Sequence, residues 1–469
     1  MSDYPHVAYR PLFWPLALLL PLLTVAVLFP VAFTAGFLLV CILVFGFRFP
    51  VATAGVVLVL IPVIDQAVAD REFMDLFGAI RLTPAVVLKA MMSLVIATYL
   101  VRRKINPLKY KSLRPLVLWL ASLLAGCFTF HDLGLSLSMW FRLAYWAAYF
   151  VFFFVVASEH GHDGITVKWL WRAGAVAVLI FAASVHIAKV MGVGGEYYHV
   201  GESYGFYADP WNMAMTLPGG LVLALLYPWV FDDCPRWVRP ASLALSFIIS
   251  LAAFFTMTRT SLIACIFAVL LFGFSISKVL RSRSIRWMIA FALVVVVAAV
   301  LLVYRNVGSS RADSQVSARW SEVEKGDIAS GRLEVYYGAW SKFVSAPPVR
   351  KLFGHGVGAG PEAAEEFTGI YVYLHDDLLE MLICGGLIGM ALYYWCFISY
   401  YRLALRGLCS RNAWAVAALV GLAVYNVTSI SYMRVYAVTP NTYFALVVGT
   451  SLGMLQNTYS RECAKHGLA

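Results

Sequence analysis

The sequence predicts an all-α, polytopic membrane protein with about fourteen transmembrane helices, twelve at the fewest, and one large non-cytoplasmic loop. Three observations predict it. The 469 residues are 61% hydrophobic and 13% charged, whereas a soluble domain is roughly half apolar and a quarter charged. The mean hydropathy is +0.79. Apolar runs of bilayer length follow one another along most of the chain, and the short connections between them alternate between basic and neutral or acidic. No soluble domain of ordinary size, low-complexity tract or internal repeat interrupts the pattern.

A helix needs about 20 apolar residues to cross the hydrocarbon core. The runs that qualify are 12–29, 31–47, 50–66, 84–101, 115–130, 135–157, 168–190, 210–231, 239–257, 260–279, 286–304, 377–399, 412–430 and 441–458. Arg10 precedes a long apolar hairpin rather than a single cleavable run, so the N-terminus reads as a first pair of spans. The chain divides at 1–304 (eleven spans), 305–376 (a long loop) and 377–469 (three spans and a tail).

Lysine and arginine set orientation, because basic short loops stay on the cytoplasmic side. With the N-terminus cytoplasmic, the cytoplasmic loops are RRKINPLKYKSLR (102–114), DDCPRWVR (232–239), SKVLRSRSIR (277–286) and YYRLALRGLCSR (400–411). The other face receives DQAVADREFMD (65–75), HDLG (131–134) and the glycine-tyrosine segment 192–209. Both termini are then cytoplasmic. The net charge of +11 is accounted for by these loops, and nucleic acid is not implied. The eight cysteines are scattered without a CxxC pair, so neither zinc nor a disulfide framework is suggested.

The long loop 305–376 is exempt from the charge rule by its length. Within it GRLEVYYGAWSKFV (331–344) places Leu333, Tyr336, Tyr337, Trp340 and Phe343 at helical spacing. That stretch reads as a helix lying over the membrane mouth, followed by a tight turn at GHGVGAG (354–360).

Polar groups gather on this outer face. Arg259, in FFTMTRTSLIAC, has almost no loop in which to be solvated, and an arginine at a span boundary calls for an anion. Asp209 and Asn212 lie at a helix start in YGFYADPWNMA, with Pro210 in a first-turn position; an N-cap is the plain reading of Asp209. Arg434 sits in the short outer loop SYMRVY, and Arg319 and Arg332 in the long one. His375, Asp376 and Asp377 open the span that follows the loop, in YLHDDLLEMLICGGLIGM (373–390). Arginine's planar fork suits phosphate oxygens and histidine is a base near neutral pH. The set suits a lipid-linked phosphate or diphosphate donor and a base that activates an acceptor.

These residues resemble the motifs of the O-antigen ligase and O-antigen polymerase family of bacterial inner-membrane glycosyltransferases. The family's histidine motif is His, then Asn, Ser or Gln, nine residues, and Gly-x-x-Gly. Here His375 is followed by Asp376, which departs from the usual residue, then residues 377–385 and Gly386-Leu-Ile-Gly389. The stretch SGRLEVYYGAWSKFV…LFGHGVGAG is similar to the family segment that starts at an "SGR" arginine, here Arg332. TRTSL (258–262) resembles the short membrane arginine motif, with Arg259 in that place, and FYADPWNMA the "NPN" segment. The resemblance covers about 205–390.

The resemblance implies a GT-C-like helical fold, an undecaprenyl diphosphate-linked saccharide donor, a periplasmic site in the bacterial inner membrane, and no nucleotide sugar or metal. It implies His375 as base, with Arg259 and Arg332 on the diphosphate. Asp376, Asp377, Asp209, Asn212, Arg319 and Arg434 are then substrate-binding candidates. The acceptor is either a growing glycan (polymerase) or lipid A–core (ligase). The span count and Asp376 favour a polymerase of O-antigen or exopolysaccharide, for which a chain-length regulator protein is a candidate partner. A lipid-linked saccharide transporter or flippase is the alternative of another class; it would place charges at mid-membrane on broken helices.

Overall fold

A computed structural model of the protein describes residues 43–67, 74–76, 80–82, 84–128, 130, 132–160, 164–191, 210–231, 233–256, 258–280, 332–369, 374, 376–430 and 436–465. The first helices are α1 (Pro50–Ala67), α2 (Pro84–Arg102), α3 (Arg114–Cys127), α4 (Leu133–His160), α5 (Ile165–Met191), α6 (Pro210–Val230), α7 (Val238–Phe255) and α8 (Arg259–Leu280). Three helices of the long loop follow: α9 (Arg332–Ser345), α10 (Pro348–Phe353) and α11 (Ala359–Thr368). The chain closes with α12 (Asp377–Cys409), α13 (Ala413–Ser429) and a rod made of α14 (Val438–Phe444), a π-helical turn (Ala445–Gly449) and α15 (Thr450–Lys465).

The protein is a helical membrane protein. Among the described residues four helices are long and apolar enough to cross a bilayer, and five shorter apolar helices accompany them. The expected spans 12–29 and 286–304, and most of 31–47, lie outside the described residues. One departure from an all-α chain is a two-stranded antiparallel ribbon in the connection between α1 and α2. It pairs β1 (Met74–Leu76) with β2 (Ile80–Leu82), Asp75 opposite Arg81.

Helix α4 is the centre of the bundle. Phe150, Phe152, Phe153 and Phe154 are all fully buried, because α2, α5, α14 and α15 each cover part of it. Helix α6 contains two interior prolines, Pro218 and Pro228. Each removes the backbone donor that the carbonyl four residues earlier would use. Both carbonyls are satisfied by neighbours: Ser261 Oγ of α8 donates to Ala214 O at 2.7 Å, and Ser242 Oγ of α7 donates to Ala224 O. Hydroxyls from adjacent helices thus make prolines tolerable where no water reaches the backbone.

The loops sort to two ends. Ser158 Oγ reaches Tyr110 OH at 3.4 Å, Lys168 pairs with Asp233 at 2.6 Å and Trp171 packs edge-on against Trp414 at 5.4 Å. The basic connections α2–α3, α6–α7 and α12–α13 therefore share one end with the α4–α5 connection. The other end holds a small core of Phe130, Val335, Ala339, Ala359, Ala363, Ala364, Leu374 and Ile383, through which α9 and α11 seat on the bundle. Lys342 of α9 pairs with Glu366 near the end of α11 at 2.7 Å.

Helix α9 forms where the periodicity predicts it, with a different face buried. Leu333, Tyr337 and Trp340 are 66%, 62% and 51% exposed, whereas Val335 and Ala339 are buried. Small residues win the inner face because α11 comes so close that a Cβ on Gly338 would lie 2.5 Å from Phe367 Cβ. The large stripe is left outward, as aromatic residues at membrane interfaces commonly are.

Candidate functional site

Helix α12 is two arms rather than one rod. Gly386 has φ 61° and ψ −162°, outside helical geometry. In a straight helix Asp377 and Tyr393 would stand about 24 Å apart. Instead Tyr393 OH donates to Asp377 Oδ2 at 3.2 Å, so residues 377–385 fold back along 387–409. The expected span 377–399 is corrected accordingly. Residues 387–409 as a helix are about 35 Å long, enough to cross the roughly 30 Å hydrocarbon core unaided. The expected loop 400–411 is helical through Cys409 because Tyr400, Ala404 and Gly407 keep a buried face at helical spacing.

The hairpin tip is built by two glycine motifs that the sequence keeps apart. The break at Gly386 frees carbonyls at the end of the first arm. His355 N–H donates to Ile383 O at 2.8 Å and Gly356 N–H to Cys384 O at 3.1 Å, so the GHGVGAG loop caps that arm. The approach is backbone on backbone. A Cβ on Gly386 would lie 2.5 Å from Leu352 O, and one on Gly354, itself at φ 80°, 2.2 Å from Cys384 O. Glycine is the residue that permits both the dihedral and the contact.

The first arm carries the carboxylates. Asp376 is the N-cap, accepting from Leu379 N–H at 2.9 Å. Partial burial holds its carboxyl above the usual aspartate range, opposed by the backbone N–H groups of Leu379 and Leu378. Asp377, 2% exposed, turns inward and accepts from Tyr393 OH at 3.2 Å and from Tyr425 OH of α13 at 3.3 Å.

Two residues here carried no sequence signal. Glu380 is fully buried; Cys384 Sγ donates to its Oε1 at 3.2 Å, and Tyr436 OH lies 3.5 Å from the same sulfur. Its Oε2 has no hydrogen-bond partner among the described residues, and a Cβ on Gly360 would fall 2.1 Å from that oxygen. The second is His355. Burial, with Lys342 and Arg350 nearby, holds its imidazole below the usual histidine range, so it is neutral at pH 7, and its Nε2 is unpartnered among the described residues. A position relative to His375 would have been the only clue to Glu380, and its burial is a tertiary fact.

The structure also places several of the expected site residues along the backbone. Arg259 is the first residue of α8, Asn212 lies in the first turn of α6, and Arg332 opens α9. The Ser261–Ala214 bond fastens the starts of α8 and α6 together, so two helix N-termini lie side by side. Helix α13 packs against α8 and receives Asp377 at Tyr425, which links those starts to the hairpin. His375, Asp209, Arg319 and Arg434 lie outside the described residues. Among the described residues no three His, Cys, Asp or Glu side chains converge as a metal-binding set.

The comparisons with known proteins agree with the motifs. Residues 244–394 match the model of a family described as O-antigen ligase, which bears out the resemblance for about a third of the chain. The match runs from within α7 to just past Tyr393 and so takes in Arg259, Arg332, the glycine loop and the hairpin tip; the segment 204–214 falls outside it. No curated protein matches the chain.

Proposed function

We propose that, as in the O-antigen ligase family its central segment matches, this chain is a glycosyltransferase that moves a saccharide from undecaprenyl diphosphate to an acceptor sugar hydroxyl. The site lies on the face opposite the basic loops, the periplasmic face of a bacterial inner membrane, with both termini cytoplasmic and fourteen spans divided at 1–304, 305–376 and 377–469. The observation that carries the reading is the hairpin tip. There the GHGVGAG loop donates backbone hydrogen bonds to Ile383 and Cys384, just before the Gly-x-x-Gly motif of the same matched segment, and His375 directly precedes in sequence the Asp376 cap that opens this arm.

In the proposed reaction His375 takes the proton of the acceptor hydroxyl. The oxygen bonds to the anomeric carbon as the carbon–oxygen bond to the diphosphate breaks, with inversion. The diphosphate leaves with the electron pair. Arg259 and Arg332 bind it and stabilise the charge that grows on it, helped by the paired starts of α6 and α8. Asp376, on the same short arm, orients the imidazole. Asp377 and Glu380 hold that arm against α13 and the loop. A positioned base contributes about 10²–10⁴-fold.

Polymerisation of an O-antigen or exopolysaccharide is the reading favoured for the acceptor. The description of the matched family favours a second, ligation to lipid A–core. A broken helix would also suit a lipid-linked saccharide carrier; the family match favours the enzyme. Reconstitution with an undecaprenyl diphosphate saccharide, with and without lipid A–core, tests all three. Longer lipid-linked glycan means a polymerase and glycan on lipid A–core a ligase. Donor moved across the membrane without a new glycosidic bond would overturn the enzyme.

A further inference from the structure

At the basic end of the bundle, opposite the hairpin tip, the helical segment 43–48 before α1 and the end of α2 line an open concavity of about 150 Å³. Arg48 enters its wall from one segment, Arg102 and Arg103 from the other, with Phe47, Thr98 and Tyr99 between them. Two of the arginines make local contacts. Arg102 Nη1 donates to Phe47 O at 2.9 Å and its guanidinium lies over the Phe47 ring at 5.7 Å, while Arg48 lies over Phe49 at 5.9 Å. Among the described residues no carboxylate lines the cavity and no ion pair engages any of the three arginines.

Basic loops fix topology wherever they lie, and that alone would account for charges pointing freely into solvent. It does not account for three arginines, all exposed and so within reach of a headgroup, that come from two segments to one concavity with no carboxylate in its lining. Like charges so placed repel, and an anion relieves the repulsion. Arginine's fork binds phosphate oxygens in a bidentate manner. Basic pockets between transmembrane helices at the cytoplasmic surface are where anionic headgroups are held. The cavity is on the scale of a single phosphate headgroup. We propose that it is a phosphate site, occupied in the membrane by the headgroup of an anionic phospholipid. It is separate from the proposed diphosphate site and independent of the proposed function.

The test uses the full chain purified in a neutral detergent. Thermal unfolding is followed while phosphatidylglycerol, phosphatidylcholine or inorganic phosphate is titrated, and bound lipid is identified by native mass spectrometry. Phosphatidylglycerol should raise the midpoint and be retained, and phosphatidylcholine should not. The R48K/R102K/R103K variant keeps every charge, and hence the topology signal, and loses the forks. It should insert normally and bind phosphatidylglycerol at least tenfold more weakly. R103Q provides a milder variant with the same expected direction. Equal phosphatidylglycerol response in the wild type and both variants, or equal response to the two lipids, overturns the site. A response to inorganic phosphate alone that the lysine variant loses supports the phosphate chemistry and overturns the lipid as its source.

Discussion

Replacing Gly386 by alanine should disable the protein, whereas the same change at Gly389, the other glycine of the motif, should be mild. At Gly386 the backbone occupies a region essentially reserved for glycine, which costs a residue with a Cβ about 1–3 kcal/mol. The new Cβ would also sit 2.5 Å from Leu352 O and 2.6 Å from Gly354 N, so the loop must retreat. Retreat gives up the His355–Ile383 and Gly356–Cys384 bonds, at about 1 kcal/mol each. The local cost is then about 3–5 kcal/mol. At Gly389 a Cβ would meet Leu123 Cδ2 at 3.6 Å and Met381 O at 3.9 Å, ordinary contact distances. Cys384 reports on the tip directly, being fully buried. Peptide-resolved thiol labelling in detergent should find Cys384 reacting about 10²–10⁴-fold faster in Gly386→Ala, at 1.4 kcal/mol per tenfold. In Gly389→Ala it should react at close to the wild-type rate. Glycan transfer should fail in the first variant and survive in the second. Wild-type labelling of Cys384 in Gly386→Ala would refute the interlocked tip, and equal damage from both substitutions would mean that the fold-back is misplaced.

His375→Ala should abolish transfer while the purified protein still binds the lipid donor; full turnover there removes the base. Arg259→Lys and Arg332→Lys should each lose most activity in the same assay because lysine keeps the charge and loses the fork; normal activity in both would mean that a point charge suffices. Asp376→Asn keeps the cap acceptor for Leu379 and removes a charge whose carboxyl burial holds above its usual range. The native state therefore holds the Asp376 proton at a higher pH than the unfolded chain, so the wild type loses stability as pH rises from about 3.9. The asparagine variant should be at least as stable at pH 7, by thermal unfolding, with the difference closing as pH falls towards 4; lower stability at pH 7 would contradict this. His355 works in the opposite sense. Its native proton affinity is depressed, so its contribution is present above the unfolded value of about 6.5 and is lost as pH falls below it. His355→Gln should flatten the unfolding midpoint between pH 7 and pH 5, and an unchanged slope would exclude that origin. Ser261→Ala should cost about 1–3 kcal/mol by leaving the Ala214 carbonyl without a donor; an unfolding midpoint equal to the wild type's would show that the carbonyl finds another.

What the sequence determined by itself is what short-range chemistry and solvent decide. Apolar length placed helices at 50–66, 84–101, 135–157 and 210–231 within a few residues of those observed, because the bilayer imposes the length. The lysines and arginines marked one end of the bundle as basic before any packing was known. The motif spacing brought Arg332, the glycine loop and the His375 span into one frame, and the family match covers the same stretch. Other features were decided only in three dimensions. A window of apolar residues reads the same whether it runs straight or doubles back, so 377–399 looked like one span. The fold-back depends on Gly386 meeting Leu352 and Gly354 across a gap in sequence. The burial of Glu380, the inward turn of Asp377 to two tyrosines and the rescue of Pro218 by Ser261 each pair groups from separate elements. So does the gathering of Arg48 with Arg102 and Arg103. Hydropathy and spacing are properties of one segment at a time, whereas a hydrogen bond or a counter-charge between segments exists only once packing has chosen the neighbours.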